Sequence, residues 1–514
     1  MRFQGFFLLT TFLAGLAFNS AREQGNSADM IPKTWDDEAI ATFEIPLANP
    51  VGSPKHVSAE YYYRIPVRAI YKGYPVYAPG HEPPGYIDWL KQQEPIVMWD
   101  DLGHAPALRT EADWIRAGQL VFDAATRAPG FERYGIDDVR NPEFYLETGA
   151  PVTKDGTVAA YQYMVRTKGT VELGVNACAA CHSRVMPDGS VLKGAQSNFP
   201  VQRAAAYGHR TNAGTPKDKE QRLAQQRHFL KSLHAAPWLH PDPEDRVDSI
   251  SYDEMASVFE AIPPGVHLRQ RSNTFTPIQV SDLIGVKDRR YLDHTGLDAH
   301  RSIADLMRYA AMNTGADSLA SYAGFIPVDR ARFQQLPPPE SIGRYSDDQL
   351  YALARYIYSL QPPPNPNRFD AFAAQGREVF TREGCAACHT PPLYTNNKLT
   401  PADGFATPSD HRQRYDILPI SVGTDPDLTL KTRRGTGYYK VPSLKGVWYR
   451  SMFGHSGWCA TLEDWFDPRR VRDDYLPTGW KPHDRPTYAV KGHAYGLSLS
   501  DTDRRALIAF LETL

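Results

Sequence analysis

The stretch Cys178-Ala179-Ala180-Cys181-His182 occurs twice in the chain, the second time as Cys385-Ala386-Ala387-Cys388-His389. C-x-x-C-H is the attachment signature of a c-type haem. Its two thiols add across the vinyl groups of one porphyrin, and the adjacent imidazole becomes the proximal ligand of the iron. A zinc site would need further cysteine or histidine ligands close by, and none lies near either copy. The sequence therefore predicts two covalently bound haem c groups, held by Cys178, Cys181, His182 and by Cys385, Cys388, His389.

The bulk composition limits the classes of protein to consider. At 514 residues with 42% apolar content, the chain is long enough for two to three domains with buried cores. The formal net charge of −2 gives no support for a nucleic acid or an anionic membrane as partner. The two motifs use four of the five cysteines, which leaves Cys459 without an intramolecular partner. We expect Cys459 to be a small buried residue rather than a reactive thiol.

The first residues have the pattern of an export signal. Arg2 supplies a positive charge, residues 6–18 form an apolar stretch, and Gly15-Leu16-Ala17 offers a small-x-small cleavage site. The stretch is too short to span a bilayer. We therefore expect a signal peptide at 1–21, cleaved near 17–21, and a periplasmic mature protein without a membrane span. Export agrees with the haem prediction, because covalent attachment of haem c is completed outside the cytoplasm.

Changes in composition suggest how the rest of the chain is divided. Segment 22–108 is rich in tyrosine and proline, and its prolines exclude a long helix. We expect an N-terminal arm that wraps the outside of the fold as loops and short extended pieces. An amphipathic helix begins near Thr110, and the proline run at 362–366 is typical of a stiff linker. The predicted haem domains are therefore 109–361 and 367–514.

Both predicted haem domains begin and end with similar helices. Gly118-Gln119-Leu120-Val121-Phe122 precedes the first motif, and Gly376-Arg377-Glu378-Val379-Phe380 precedes the second. A glycine in such an opening helix permits close approach of the helix that closes the domain. The closing helices begin at Ser346 and Ser500, each followed by acidic residues that suit a helix N-terminus. The sequence therefore predicts a mainly α fold of two cytochrome-c-like domains from an internal duplication, the first enlarged by insertions.

The sixth ligand of each iron decides between electron transfer and chemistry on peroxide or O₂. For the second haem the candidates are His493, His455, Met452 and His483. We favour His493, because glycines on both sides let the backbone pass close to a large ligand and because it directly precedes the closing helix. His455, which is also flanked by glycine, is the alternative.

The first haem lacks an equally suggestive second ligand. Met186 is too close to His182 in the sequence to cross the porphyrin, whereas His209 and His300 are within reach in principle. We therefore expect the first haem, on His182, to be the reactive one, by default rather than by a positive signal.

The C-terminal part of the chain resembles a known superfamily. The stretches Val441-Pro442-Ser443-Leu444-Lys445-Gly446-Val447 and Met452-Phe453-Gly454-His455-Ser456-Gly457, followed by Thr461-Leu462-Glu463, are similar to the bacterial dihaem cytochrome c peroxidase superfamily. That superfamily includes the methylamine dehydrogenase maturation enzyme and the dihaem rubber oxygenases. Gly492-His493-x-Tyr495-Gly496, and the stretch 345–353 before the proline linker, most resemble the rubber-oxygenase branch.

The resemblance implies roles for particular residues. In that branch the C-terminal haem is held by two histidines, by position His389 and His493, and the haem on His182 binds O₂ or peroxide. The superfamily also places an aromatic relay between the haems. Tyr291 is the candidate here, where tryptophan is usual, and a plain core tyrosine is the alternative. Ser456 stands where aspartate is common. The peroxidase branch often has a calcium ion between the domains, for which we assign no ligands.

These observations favour a periplasmic dihaem oxidoreductase. Electrons would pass between a small periplasmic redox protein and the C-terminal haem, with chemistry on peroxide or O₂ at the N-terminal haem. An oxygenase would also need an apolar distal face shaped for an organic substrate. The alternative from another class is a dihaem electron carrier with two six-coordinate irons and no substrate of its own. A resting spectrum with a high-spin signal would favour the enzyme.

Overall fold

Helices provide most of the regular structure of this protein. The computed structural model describes residues 31–126, 134–176, 178–327 and 336–514, so the signal-peptide prediction lies outside the described residues. Residues 32–514 form one compact unit. The described helices are α1 Asp37–Ala41, α2 Ala59–Arg64, α3 Tyr86–Lys91, α4 Glu111–Asp123, α5 Ile136–Val139, α6 Pro142–Thr148, α7 Ala179–His182, α8 Val201–Thr211, α9 Pro216–His234, α10 Tyr252–Glu260, α11 Ile303–Asn313, α12 Asp347–Ser359, α13 Ala371–Arg382, α14 Ser409–Arg414, α15 Asp427–Leu430, α16 Leu462–Trp465 and α17 Asp501–Glu512.

Fourteen strands accompany these helices in the described residues. They are β1 Pro54–Lys55, β2 Ile70–Tyr71, β3 Gly73–Tyr77, β4 Val97–Trp99, β5 Ala125–Thr126, β6 Thr157–Thr167, β7 Thr170–Asn176, β8 Ser183–Val185, β9 Val191–Lys193, β10 Val266–His267, β11 Ile278–Gln279, β12 Ser321–Tyr322, β13 Leu399–Pro401 and β14 Tyr438–Lys440. Short 3₁₀ turns lie at Pro50–Gly52, Asp245–Asp248, Val286–Asp288, Ala316–Leu319, Pro339–Ser341, Cys385–Ala387, Val447–Tyr449 and Pro468–Val471.

The prediction of a mainly α fold is right only in part, because the first half of the chain also contains an antiparallel sheet. Strands β3, β6, β7 and β5 pair in that order. The segment of β6 is rich in valine, threonine and tyrosine, which favour strands, and Gly169 with φ of +88° turns the chain into β7. Tyr161 and Tyr163 of β6 are fully buried in the core beneath it. The fold is therefore a mixture of helices and strands.

Part of the N-terminal arm is built into this sheet. The prediction that segment 22–108 wraps only the outside is wrong for β3, which is the edge strand beside β6. Tyr74 and Val76 alternate with more exposed neighbours and pack into the core. Further upstream, Ile45 donates its main-chain N–H to Leu297 over 2.9 Å. The prolines prevent a long helix, as expected, but they leave room for a short edge strand.

Two helix pairs frame the two haem motifs, and both pairs make the same contact. In the first pair, α4 packs on α12, and a Cβ at Gly118 would overlap the carbonyl oxygen of Ala352. In the second, α13 packs on α17, and a Cβ at Gly376 would overlap the carbonyl oxygen of Ala506. The close approach expected at each opening-helix glycine is therefore present.

The helix starts follow the predicted capping residues. Thr110 caps α4 in a capping box with Asp113, and Ser346 caps α12 in a capping box with Gln349. Ser500 accepts a hydrogen bond from the N–H of Asp503 at the start of α17. In the described part of the chain, no helix combines the length and apolar character needed to cross a bilayer.

Two further segments, 280–299 and 441–460, are similar to each other. In the chain, the first lies between α4 and α12, and the second lies between α13 and α17. Each begins with a left-handed glycine, Gly285 or Gly446, before a 3₁₀ turn. Each then closes a turn with an equivalent hydrogen bond, from Leu292 N–H to Asp298 and from Phe453 N–H to Cys459. This correspondence aligns His294 with His455.

Candidate haem sites

Both CAACH stretches fold into one tight helical turn. The N–H of His182 donates to the carbonyl of Cys178 over 2.9 Å, and the N–H of His389 donates to that of Cys385 over 2.9 Å. All five cysteines are free thiols. In each turn the two thiols and the imidazole therefore come from a single turn of backbone, as attachment to one porphyrin requires.

A cavity of about 280 Å³ opens at the second motif. It lies between α13, α16 and α17, and it brings together residues from five separate segments of the chain. Cys385, Cys388 and His389 line one side, and His493 lines another. Apolar side chains form much of the remaining wall. They are Phe380, Leu444, Val447, Leu462, Phe466, Leu507 and Leu511. An apolar cavity beside two thiols and an imidazole suits a porphyrin.

His389 and His493 face each other across this cavity. Their ring centroids are 6.3 Å apart, with an interplanar angle of 62°. Metal–imidazole bonds of about 2 Å, added to about 1.1 Å from each nitrogen to its ring centre, place two axial imidazoles about 6 Å apart. The separation therefore has room for one iron between the rings.

The hydrogen bonds of the two rings leave nitrogen atoms available to a metal. Nδ1 of His389 donates to the carbonyls of Pro442 and Tyr394 over 3.1 and 3.2 Å, which fixes the ring and leaves Nε2 for a metal. Nδ1 of His493 is buried and has no hydrogen-bond partner among the described residues. Burial lowers the pKa of His389, and burial lowers that of His493 to about 4. Both imidazoles are therefore neutral, as ligands to iron must be.

The loop that carries His493 is held from behind by a buried arginine that sequence reasoning missed. Arg470 is fully buried, and it donates to the main-chain carbonyls of Val490, Gly492 and His493 over 2.6–3.0 Å. Its guanidinium lies 4.6 Å from the ring centroid of Trp465. No local pattern in the sequence marks Arg470, because the loop carbonyls that it binds lie 20 or more positions away.

The glycine beside His493 has a specific packing reason. Gly492 has φ of +79°, and a Cβ there would overlap the carbonyl oxygen of Gly423. His493 itself adopts φ of +46°, and its N–H donates to Val422 over 2.6 Å. A left-handed residue other than glycine is uncommon, and here it orients a side chain toward the cavity.

The other candidates for the second haem either contact other side chains or lie outside the cavity. His455 lines the cavity, but its ring stacks on Tyr439 at 4.4 Å, and its Nε2 is 3.3 Å from the Tyr439 hydroxyl. His483 hydrogen-bonds Glu254 in a separate surface crevice. Met452, with φ of +57°, packs in a hydrophobic cluster and is not among the described residues that line the cavity.

At the first motif, His182 is accompanied by a second imidazole that the sequence did not single out. Nδ1 of His267 is 3.9 Å from Sγ of Cys181, and its Nε2 is buried without a partner among the described residues. The Nδ1 of His182 and the hydroxyl of Tyr345 are also buried and unpartnered there. Burial lowers the pKa of both His182 and His267 to about 3. Polar atoms buried without partners indicate a ligand-binding environment.

The remaining candidates at the first haem are engaged elsewhere. His300 donates from Nδ1 to the carbonyl of Arg289, and its Nε2 is 2.6 Å from the Tyr358 hydroxyl, so both nitrogens are used. His209 hydrogen-bonds and stacks on Tyr252. Met186 packs in a hydrophobic cluster with Ile284.

The proposed relay residue Tyr291 packs in a hydrophobic cluster with Ile45, Leu399 and Tyr438, and its relay role stays a prediction. His294 instead lines the cavity of the second motif, together with its counterpart His455. Nε2 of His294 donates to the carbonyl of Gln279 over 2.8 Å. Comparing 280–299 with 441–460 in the sequence is the signal that would have found His294.

No group of three or more histidine, cysteine, aspartate or glutamate side chains placed to hold a metal ion occurs among the described residues. The structure therefore adds no ligands for the calcium ion that the family resemblance implies. Cys459 is fully buried, as predicted, and burial raises the pKa of its thiol to about 12.

Comparisons with known proteins give one sequence relative. No protein-family model matches the chain. Over 220 residues the chain is 27% identical to the methylamine utilization protein MauG of Methylorubrum extorquens, and the match covers 40% of this chain and 53% of that protein. The chain thus spans about half the length of this relative. The similarity supports the dihaem cytochrome relationship that the motifs indicate, while the rubber-oxygenase branch stays a prediction.

Two solved structures are distantly similar. Hydrazine synthase of Kuenenia stuttgartiensis is 16% identical with a TM-score of 0.29, covering 57% of this chain and 87% of that chain. A MauG-like protein associated with microbial copper homeostasis is 17% identical with a TM-score of 0.27, covering 46% of this chain and 73% of that chain. TM-scores this low do not establish a shared fold.

Proposed function

We propose that this protein is a periplasmic dihaem c-type cytochrome with oxidoreductase activity. The two haem domains would derive from a duplication, with the first enlarged by insertions. The C-terminal haem, on Cys385, Cys388 and His389, would transfer electrons. The N-terminal haem, on Cys178, Cys181 and His182, would be the site of peroxide or O₂ chemistry.

The pairing of His389 with His493 carries this proposal. Two neutral imidazoles, 6.3 Å apart at their centroids, face each other across an apolar cavity that is also lined by Cys385 and Cys388. A haem with a strong ligand on both faces moves electrons rather than binding a substrate at iron. The MauG similarity supports a haem oxidoreductase of this general type.

When bound, each haem supplies an iron that changes its oxidation state by one electron. The residues of the chain hold and insulate it. Pro442 and Tyr394 orient His389 through Nδ1, while Arg470 positions the loop of His493. The apolar wall excludes water from the cavity, which keeps the electrostatic environment of the iron fixed.

Several finer assignments belong to the same proposal. A small periplasmic redox protein would exchange electrons with the C-terminal haem, and peroxide, O₂ or an organic compound would react at the N-terminal haem. Resemblance to the rubber-oxygenase branch favours O₂ and an organic substrate. His294 and His455, which share one cavity, are better placed than Tyr291 to lie along the route between the two sites.

A dihaem electron carrier without a substrate is the second candidate. The observation that favours it is the buried, unpartnered Nε2 of His267 beside Cys181. If His267 binds the first iron opposite His182, both haems would be six-coordinate, and neither would be open to peroxide or O₂.

Haem counting and spectroscopy of the purified protein distinguish these possibilities. We expect two haems per chain by pyridine haemochrome, one low-spin and one high-spin signal at rest, and a spectral shift when cyanide or peroxide is added. Two low-spin haems whose spectra do not change on addition of cyanide or peroxide would refute the oxidoreductase proposal and support the electron carrier. Removal of His267 should then produce a high-spin signal.

A set of single variants tests the ligand assignment. His493→Ala should convert the low-spin haem, whereas His483→Ala, a histidine in a separate crevice, should leave the spectrum unchanged. His455→Ala should also leave it low-spin, since that ring is stacked on Tyr439. Loss of the low-spin signal in His455→Ala but not in His493→Ala would reverse the assignment.

A further inference from the structure

A second cavity, a surface crevice of about 450 Å³, lies next to the C-terminal haem cavity. Its walls come from three separate stretches, at 239–276, 425–431 and 458–488. Trp458 lines both the crevice and the haem cavity. Its ring centroid is 4.4 Å from that of His455, which lies on the haem side. One buried indole thus separates the two spaces.

Aromatic side chains form much of the crevice wall. Trp458, Trp480, Tyr488 and Phe275 all line it, and the rings of Trp480 and Tyr488 meet edge to face at 6.1 Å. Trp458 and Trp480 are 2% and 5% exposed, so their faces are held in place by the surrounding core. Rigid aromatic faces favour a flat, unsaturated ligand, because stacked and edge-to-face contacts add to the burial of apolar area.

Two of the residues that line the crevice carry polar groups able to bind a ligand. Asp425 lines the crevice, and its Oδ2 accepts a hydrogen bond from the Tyr488 hydroxyl over 3.3 Å. Burial raises the pKa of this carboxyl. Nε1 of Trp458 is buried and has no hydrogen-bond partner in the part of the chain that the structure describes. A buried N–H without a partner costs free energy unless a ligand or water accepts it.

The charges around the crevice are largely neutralised by each other. Arg246 pairs with both Glu254 and Asp484 over 3.2 and 3.1 Å, and Lys431 pairs with Asp427. The lining as a whole carries three cations, of Arg246, Lys431 and Arg485, and three carboxylates, of Asp425, Asp427 and Asp484, so it has no net positive charge that would attract an anion. The crevice therefore favours a neutral ligand that has an aromatic ring and a group able both to donate and to accept a hydrogen bond.

We propose that this crevice binds a small neutral aromatic compound that carries a hydroxyl group. The hydroxyl donates to the carboxylate of Asp425 and accepts from Nε1 of Trp458, while the ring packs against Trp480 and Tyr488. Its role as the place where an organic substrate is held beside the haem cavity rests on the proposed function. The binding itself does not, since every group named belongs to the polypeptide.

Asp425 also connects the crevice to the interior. Its main-chain carbonyl accepts a hydrogen bond from the Tyr439 hydroxyl over 2.7 Å, and that hydroxyl is 3.3 Å from Nε2 of His455. Asp425 Oδ1 is itself 4.0 Å from the same imidazole nitrogen. A ligand on Asp425 is therefore separated from the haem cavity only by Tyr439 and His455, both of which line that cavity.

Isothermal titration of the haem-loaded protein with phenol tests the binding site. We expect saturable binding at one site per chain, with no binding of cyclohexanol, which has the hydroxyl but not the aromatic ring. Trp480→Ala and Asp425→Ala should each weaken binding about tenfold or more. Trp89→Ala is the matched control, because Trp89 is a half-exposed tryptophan of α3 outside the crevice, and its removal should leave binding unchanged.

The outcomes separate this inference from the proposed function. Trp480 is buried, so Asp425→Ala, at a partly exposed side chain, keeps the test valid if Trp480→Ala fails to fold. Phenol that does not bind, or that binds equally to wild type and Asp425→Ala, overturns the site even if both haems behave as proposed. Site-specific binding together with two unreactive low-spin haems would uphold the site and overturn only the oxidoreductase function.

Discussion

Lys440 donates its main-chain N–H to the carbonyl of His294 over 2.9 Å. Gln279 corresponds to Lys440, and His455 corresponds to His294. The N–H of Gln279 likewise donates to the carbonyl of His455 over 2.8 Å. The last residue of β11 and the last residue of β14 thus each donate a hydrogen bond to the histidine of the other segment. This reciprocal exchange ties the two haem regions together and places His294 and His455 in one cavity.

The helix pairs provide a first prediction. Because a Cβ at Gly118 or Gly376 would overlap a main-chain carbonyl oxygen of the facing helix, the helices must separate to accept alanine. We expect Gly118→Ala and Gly376→Ala each to lower the free energy of unfolding by about 3 kcal/mol. Urea denaturation followed by circular dichroism measures the change.

The control for these substitutions is Gly135→Ala. Gly135 has a negative φ of −123° and open space around the position of a Cβ. A change within about 0.5 kcal/mol is expected there. If Gly376→Ala were equally mild, the close approach of the helices would not be a requirement of the fold.

A buried ion-pair cluster provides a second prediction. Arg434 is 2% exposed and pairs with Glu44 of the N-terminal arm and with Asp317. Arg434→Met leaves two buried carboxylates without their cation, so we expect a loss of about 3–5 kcal/mol in the free energy of unfolding. Arg472→Met, which breaks only the exposed pair with Asp474, should cost less than about 1 kcal/mol. A small effect at Arg434 would mean that water or relaxation compensates the carboxylates.

The local features of the fold could be predicted from the sequence, whereas the long-range contacts could not. Thr110, Ser346 and Ser500 cap their helices as expected, because capping depends on residues only three positions away. The geometry of the C-x-x-C-H turns is local in the same way. Periodicity and capping carry no information about a partner 20 or more residues distant.

The three site residues that sequence reasoning missed, Arg470, His267 and His294, depend on contacts of this second kind. Arg470 bonds carbonyls at 490–493, and its own neighbours in the sequence are exposed arginines that look alike. His294 becomes recognisable only when 280–299 is aligned with 441–460, where eight of the 20 positions are identical. The sheet is not predicted, because Thr157–Asn176 lies just before the first motif and inside the predicted haem domain 109–361, for which the helix signals favour α structure.

The carboxyl of Glu244 provides a prediction about pH. Burial raises its pKa to about 8 from an ordinary value of 4.5, with Asp242 adding to the rise, while Thr274 and Arg433 oppose it. The folded state therefore holds a proton that the unfolded state releases, and this stabilisation is complete below about pH 4.5 and lost as pH rises through 8. We expect the free energy of unfolding to fall by about 3 kcal/mol between pH 5 and pH 8 through this group.

Glu244→Gln isolates that contribution. The amide can accept from the Thr274 N–H and donate to its hydroxyl, so it mimics the protonated acid. Urea denaturation at pH 5 and pH 8 should show a smaller pH dependence in Glu244→Gln than in wild type. Glu143→Gln, at an exposed position, should retain the full dependence. Equal pH dependence in all three proteins would contradict the raised pKa.

Arg470 provides the last prediction, which links packing to the axial ligand. Its guanidinium satisfies the carbonyls of Val490, Gly492 and His493 and forms no ion pair among the described residues, so its contribution is to hold the loop. Arg470→Met removes these donors while keeping most of the side-chain volume. We expect a loss of about 3 kcal/mol in the free energy of unfolding and a partial change of the low-spin haem signal to high-spin, as His493 leaves its position.

Arg469→Met is the matched control, because Arg469 is exposed and pairs only with Asp467. Added imidazole should restore the low-spin signal in Arg470→Met if the vacant position is that of His493. A variant that loses stability but keeps the wild-type spectrum would show that the loop does not depend on Arg470.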